Sequence, residues 1–181
     1  MTAAQIIHHA IRKIPDYPQK GILFYDVTTL LSDAAAFRLT VDWIADNAQS
    51  HHIECVAGLE ARGFIIGAAV AYHLGVGFIP IRKKGKLPAA VFSQDYALEY
   101  GNATVEIHQD ALCGCRKVLL CDDLVATGGT MLAGAKLLQQ AGASDILTAC
   151  VIEFSDMTGG EKIRQAGLPL LSVLQAEGNM K

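Results

Sequence analysis

VLLCDDLVATGGT, residues 118–130, carries an apolar run into two acids and then into a Thr/Gly-rich turn. Val118 to Cys121 show no alternation, the pattern of a parallel strand buried on both faces, and the strand is expected to stop at Cys121. Ala126, Thr127, Gly128, Gly129 and Thr130 then bring no charge, glycines that admit close backbone approach, and two hydroxyls. From Met131 to Gln140, Leu132, Ala135, Leu138 and Gln139 mark the turns of a helix. The loop therefore lies at a positive helix N-terminus, where backbone N–H groups can hold an anion.

Two carboxylates beside an anion site make sense for a ligand that offers both a phosphate and groups an acid can grip. A phosphorylated ribose is such a ligand. Asp122 and Asp123 can accept hydrogen bonds from vicinal sugar hydroxyls, directly or through magnesium, while the loop amides hold the 5′-phosphate. The alternative is that one Asp caps the following turn and the other is solvated.

Outward from this stretch, strands are expected near 54–58, 77–82, 117–121, 146–153 and 169–174, with helices between most of them. Helices are also expected near 3–13 and 34–49, separated by GILFYDV. This order predicts an α/β fold, a Rossmann-like, mainly parallel twisted sheet flanked by helices. Residues 64–81, FIIGAAVAYHLGVGFIPI, contain no Asp, Glu, Lys or Arg over 18 positions, but they do not read as a membrane span. Arg62 to Leu74 predicts a helix, Gly75 its C-terminal cap and Gly77 to Ile81 a buried strand. The interval 83–109 fits no crossover helix, and the partial alternation of Ala103 to Ile107 predicts an exposed hairpin strand in a β-flap.

At 181 residues and 51% hydrophobic, the chain suffices for one well-buried core and is short for two. Fifteen basic against eighteen acidic residues, a net charge of −3, give no overall positive field to draw nucleic acid or a membrane. The odd count of five cysteines and a start, MTAAQIIHHAIRK, with neither a basic leader nor a long apolar run point to the cytoplasm without disulfides. Cys113 and Cys115 have no second pair at zinc spacing and read as free thiols in a turn. Cys121 reads as a buried small hydrophobe.

The 13 residues from Val118 resemble the phosphoribosyl diphosphate signature of type I phosphoribosyltransferases. IPDYPQKGILFYD at 14–26, AGLEARGF at 57–64, IRKKGKLP at 81–88 and LEYG at 98–101 resemble the adenine phosphoribosyltransferases of that superfamily, while IEFSDMTGGEKI at 152–163 fits loosely. The resemblance implies a single domain over 1–181, with a hood at about 1–33 and a flexible catalytic flap at about 83–109. It implies Mg2+-dependent transfer of 5-phosphoribosyl from phosphoribosyl diphosphate to N9 of adenine, giving AMP and diphosphate, by a homodimer. Runner-up expectations are a hypoxanthine/guanine enzyme and a non-catalytic phosphoribosyl diphosphate sensor.

By the same resemblance, Asp122, Asp123 and Ala126 to Thr130 bind the phosphoribosyl group, and Mg2+ is held mainly by substrate near the acid pair. Arg62, Arg82 and Lys86 contact diphosphate, a role suited to a guanidinium fork and to a cationic strand end. Alternatively Arg62 pairs with Glu60 at a helix start, and the cluster from Arg82 to Lys86 is a solvated loop. Lys83 and Lys84 read as surface charges. Phe24 would stack on the purine while main-chain groups of Leu23 and Tyr25 read its edge, with Phe24 as plain core the alternative. Tyr25 departs from the Arg common in the family. Glu99 would act as general base or acid, with Tyr100 orienting the reacting groups, and a solvated hairpin Glu is the other reading.

Overall fold

The computed structural model describes residues 2–97 and 101–178. Helix α1 (Ala3–Ala10) begins with a capping box in which Thr2 and Gln5 satisfy each other's backbone N–H groups. The sequence pattern predicts this helix to residue 13, whereas it ends at Ala10. Strand β1 (Arg12–Pro15) pairs antiparallel with β2 (Leu23–Asp26), and the residue before Pro15 is driven toward extended backbone. A short helix α2 (Thr28–Ser32), absent from the sequence reading, precedes α3 (Ala34–Ala48), whose cap Asp33 accepts from the N–H groups of Ala35 and Ala36.

The main sheet follows the expected alternation: β3 (Cys55–Leu59), α4 (Arg62–Leu74), β4 (Gly77–Lys83), β5 (Val91–Ala97), β6 (Asn102–His108), β7 (Lys117–Val125), α5 (Gly129–Gln140), β8 (Asp145–Phe154), α6 (Gly159–Gln165) and β9 (Leu170–Ala176). Its strand order is β5-β6-β4-β3-β7-β8-β9. The four pairings among β4, β3, β7, β8 and β9 are parallel, and β6 joins β4 and β5 antiparallel. The 83–109 interval is thus a hairpin continuing the sheet at one edge, and its second strand is not the exposed one expected, since Val105, Glu106 and Ile107 are buried against β4 and α5. Gly75 caps α4 in the left-handed region, as expected, and among the described residues no helix is long and apolar enough to cross a membrane.

Strand residues alternate between two apolar cores. Val56, Leu119, Cys121, Leu147 and Ala149 face one, with α1, α3 and α4. Ala57, Val118, Leu120, Ile146 and Cys150 face the other, with α5 and α6. Cys121 is fully buried, as its small apolar reading required, and burial pushes its thiol pKa up. Cys113 is exposed and Cys115 partly exposed, both free.

Asp26 fastens β2 to its surroundings. Its carboxylate accepts from Thr28 Oγ1 (2.6 Å), Thr28 N (3.0 Å) and the Arg12 guanidinium. The Thr28 hydroxyl above all, then Arg12, lower its pKa to about 2. The folded value lies below the unfolded one of about 3.9, so the contribution is present above about pH 4 and is lost as pH falls through 2. With Arg12 more than half exposed, screening reduces that contribution to about 1–2 kcal/mol. Asp26→Asn is therefore expected to lower stability at pH 7 by this amount and to flatten the loss between about pH 4 and 2, as read by urea unfolding across that range.

Candidate active site

The chain runs from β3 outward to β4, then returns across β3 to lay down β7, β8 and β9, so strand order reverses between β3 and β7. Loops at the carboxyl ends of these two strands flank the crevice where ligands bind in such sheets. The acid pair lies there, with one correction to the sequence reading. The strand does not stop at Cys121: β7 continues through Asp122 and Asp123 to Val125, because β8 keeps pairing with it as far as Val125 with Glu153. Pairing with β3 ends at Gly58 with Cys121. The two acids thus lie past the end of the pairing with β3, backed by β8 and lining the crevice.

A cavity of about 350 Å³ occupies this position, lined by Asp122, Asp123, Ala126, Thr127, Gly128 and Thr130 among others. Helix α5 starts two residues earlier than the sequence pattern predicts. Its N-cap, Gly128, adopts φ +79°, where any other residue is strained, and no side chain caps the first-turn amides. Those N–H groups, with no acidic residue in the first turn, face the cavity as a cradle for an anion. Gly129 is the one predicted loop residue outside the cavity lining; it packs toward β5, where a Cβ would lie 3.1 Å from the Ala97 carbonyl oxygen.

Arg62, in the first turn of α4, donates through Nε to Asp123 Oδ2. The pairing with Glu60 weighed from sequence does not occur; Glu60 instead accepts from Lys83 N (2.9 Å) and Arg82 Nε (3.3 Å). The Lys83 amide is the main cause that lowers the Glu60 pKa. Asp123 is 4% exposed. Burial, then the charge of Asp123, raises the Asp122 pKa well above the usual carboxylate range. For Arg62, burial opposes its charge, but Asp123 and Asp122 raise its pKa overall.

The basic cluster is arranged differently from the sequence expectation. Lys83 lines the cavity, while Arg82 and Lys86 do not. Arg82 is drawn aside by Glu60 and lies 6.0 Å from the Phe64 ring centroid, and the Lys86 carbonyl accepts weakly from Arg82 at 3.5 Å. Alternation along β4 separates Lys83 from Arg82, since successive side chains point to opposite faces, while Lys86 lies beyond the strand.

A second cavity, about 390 Å³ and mainly apolar, adjoins the first and is lined by Leu23, Phe24, Tyr25, Phe154 and Met157 among others. Arg62, Leu124, Ala126 and Thr127 line both. Phe24 is not plain core: it is partly exposed in the cavity and meets Tyr17 edge to face at 5.1 Å. Leu23 donates its N–H to the Gly178 carbonyl at 3.0 Å, so its backbone groups point away from β1. The two-residue period of a strand turns those of Tyr25 the same way, to the side of β2 opposite β1. The Tyr25 side chain is 6% exposed, meets the Phe154 ring at 5.5 Å with the planes tilted by 55° and donates its hydroxyl to the Glu177 carbonyl at 3.2 Å.

Glu99 and Tyr100 lie outside the described residues. Tyr96, shortly before them on β5, lines the polar cavity. Tyr96, Leu124, Phe154 and Met157 were not legible as site residues, because apolar cavity walls have no distinctive spacing. Leu124 alone carried a signal, being flanked by the acids and the loop.

The residues leave room for magnesium. Among the described residues no group of three or more His, Cys, Asp or Glu side chains could hold a metal by itself. Two adjacent carboxylates are nevertheless what Mg2+ commonly takes from a protein when phosphate oxygens of a substrate complete its shell.

Comparison with known proteins shows the family. A family model for the phosphoribosyl transferase domain matches residues 27–166. An adenine phosphoribosyltransferase of Neisseria meningitidis serogroup C is 58% identical over 94% of this chain and 91% of its own length. One from Maricaulis maris is 52% identical over 93% and 97%. The crystal structure of the Giardia lamblia enzyme complexed with 9-deazaadenine superposes with a TM-score of 0.91 at 37% identity, covering 98% of this chain and 99% of the other. With a domain match over most of its length and relatives this similar from end to end, the chain belongs to the phosphoribosyltransferase family, on its adenine phosphoribosyltransferase branch.

Proposed function

We propose that the protein is a pentosyltransferase of purine salvage that moves the 5-phosphoribosyl group of phosphoribosyl diphosphate to N9 of adenine, releasing AMP and diphosphate. The observation that carries this reading is the pair of adjoining cavities, one polar and one apolar, sharing Arg62, Leu124, Ala126 and Thr127. Two substrates seated in them meet at the shared wall, which converts their encounter into an oriented, effectively unimolecular step.

In this reading the amides of Ala126 to Thr130 hold the 5′-phosphate, and Asp122 and Asp123 accept from the ribose hydroxyls. Arg62 and Lys83 face the diphosphate, with Arg82 and Lys86 released toward it when substrate binds. Asp122 and Asp123 are the residues that would stand nearest a substrate-borne Mg2+, which when bound supplies positive charge against the leaving diphosphate. The bond from N9 to C1′ forms as the C1′–O bond to diphosphate breaks, through an oxocarbenium-like ring whose positive charge the acid pair favours. Glu99 takes or relays the imidazole proton of adenine, with Tyr100 orienting the reacting groups; the hairpin of β5 and β6 brings the chain to the cavity at Tyr96. The backbone groups of Leu23 and Tyr25 read the adenine edge. The Tyr25 side chain is engaged with Phe154 and Glu177, which supports a main-chain reading that tolerates the change from Arg.

The remaining expectations join this proposal. The chain forms a single domain, with a hood at about 1–33 and a catalytic flap at about 83–109. It works in the cytoplasm, consistent with five free cysteines. It forms a homodimer, supported by Ile65 and Tyr72 on α4, which are 48% and 90% exposed.

The test is diphosphate release with magnesium and phosphoribosyl diphosphate, comparing adenine, hypoxanthine, guanine and no base. Adenine-dependent release with AMP as product is expected. Release only with a 6-oxo purine would overturn the base assignment, and tight substrate binding without turnover would favour a sensor. Phe24→Ala is expected to raise KM for adenine by about 10- to 50-fold, the worth of about 1.5–2.5 kcal/mol of aromatic contact. KM for phosphoribosyl diphosphate should change little in the same steady-state assay.

A further inference from the structure

The segment IEFSDMTGGEKI, whose match to the family is loose, lies behind the phosphate loop rather than in it. Glu153, its second residue, stands on β8 in register with Val125, the last strand residue before the loop. Its side chain is 7% exposed, yet it carries a charge, and such a group persists only when fully partnered. Arg164 of α6 donates to it twice, Nη1 to Oε1 at 2.6 Å and Nη2 to Oε2 at 2.8 Å. Ser172 Oγ of β9 donates to Oε2 at 2.6 Å. The carboxylate thus joins β8, α6 and β9 through a bidentate fork and one further bond.

Gly159 and Gly160 fill the space between this carboxylate and the loop. A Cβ at Gly160 would lie 1.9 Å from Glu153 Oε1. A Cβ at Gly159 would lie 2.2 Å from the Ala126 carbonyl oxygen and 2.7 Å from the Gly128 nitrogen. Gly159 N also donates to Ala126 O at 3.0 Å. Two bare backbone units are therefore sandwiched between a fixed carboxylate and the loop that carries the anion-binding amides. Neither Glu153, Arg164, Ser172 nor the two glycines line either cavity.

We infer that Glu153 is a positioning residue for 5′-phosphate binding: held by Arg164 and Ser172, it sets the loop amides from behind through Gly159 and Gly160. The inference rests on the phosphate-loop assignment above. It separates ligands by whether they carry a 5′-phosphate, which a residue serving stability alone does not. Adenine, bound against Phe24 in the neighbouring cavity, is untouched.

The experiment compares wild type with Glu153→Gln, which keeps shape while removing the charge, and with Ser172→Ala, which keeps the charge and drops one bond. Binding of ribose 5-phosphate is measured by calorimetry beside steady-state kinetics. Glu153→Gln is expected to weaken ribose 5-phosphate and raise KM for phosphoribosyl diphosphate by about tenfold, the scale of a sub-ångström misplacement. KM for adenine and kcat at saturation should stay within about twofold, and Ser172→Ala should show the same selectivity at about two- to threefold. Should Glu153→Gln fail to fold, Ser172→Ala decides the matter by the same readout. Unchanged ribose 5-phosphate affinity in the folded variant, or equal losses toward both substrates, would overturn the inference. Wild type that binds ribose 5-phosphate without turning over adenine would sink the proposed reaction and leave this comparison decisive. Wild type that binds no ribose 5-phosphate would overturn loop assignment and inference together.

Discussion

Asp123→Asn is expected to lower kcat/KM for phosphoribosyl diphosphate by about 10²- to 10³-fold, with KM for adenine within about threefold of wild type. Asp123 is buried and holds Arg62 at the wall shared by the two cavities. Removing one member of a buried pair costs about 3–5 kcal/mol, because the other is left uncompensated. Here 45% of the Arg62 side chain reaches solvent, which places the cost at the lower end. On the proposed reading that cost falls on the phosphoribosyl substrate, since a hydroxyl acceptor is lost and the guanidinium loses its orientation together. Steady-state kinetics with each substrate varied in turn separates this outcome from a general loss, in which kcat falls and neither KM moves.

The same variant should shift the pH profile. Burial first, and the charge of Asp123 second, hold the Asp122 pKa well above the ordinary carboxylate range. A raised acid is ionised only above its raised pKa, so kcat/KM for phosphoribosyl diphosphate falls as pH drops through that value. Asn at 123 removes the second cause, and the acid limb moves to lower pH. A limb that stays in place or moves up would show that Asp122 is not the group titrating.

Elements set by local backbone geometry were legible in the sequence, and cavity walls set by packing were not. The parallel strands and the cap at Gly75 follow from the sequence, because unalternating apolar runs and glycine punctuation obey local rules, whereas the expected loop from Ala126 to Thr130 gives its last two residues to α5. The end of β7 was misread because Asp122 and Asp123 look like a strand terminus; only β8, a neighbour distant in sequence, keeps them in the sheet. Helix α1 was overextended for a similar reason, since Arg12 leaves the helical pattern to pair with Asp26. The choice between Lys83 and its neighbours Arg82 and Lys86 depends on strand alternation and on Glu60, neither visible in a run of positive charge. Glu153 shows the limit most clearly. Its place behind the loop depends on a partner in α6, a partner in β9 and two glycines whose backbone thickness sets the spacing.

Gly63→Ala is expected to lower kcat/KM for phosphoribosyl diphosphate by about 10²-fold and stability by about 1–3 kcal/mol. Gly63 lies in the first turn of α4, where the helix passes over β7 at Cys121 and Asp122. A Cβ there would lie 2.7 Å from the Cys121 carbonyl oxygen and 3.1 Å from Asp122 Oδ1. The first contact is backbone within the sheet, with Cys121 fully buried, so the helix start must move rather than the strand. Moving it carries Arg62 away from Asp123, while the second contact pushes the Asp122 carboxylate, which accepts from Asp123 N at 2.9 Å. One methyl group therefore disturbs Arg62, Asp122 and Asp123 together without removing any functional group. Thermal unfolding beside steady-state kinetics reads both effects, and kinetics unchanged at a lowered Tm would show that the acid pair tolerates the shift. Adding Asp123→Asn to Gly63→Ala should cost far less than the sum of the two single effects, since both act on the same Arg62 contact.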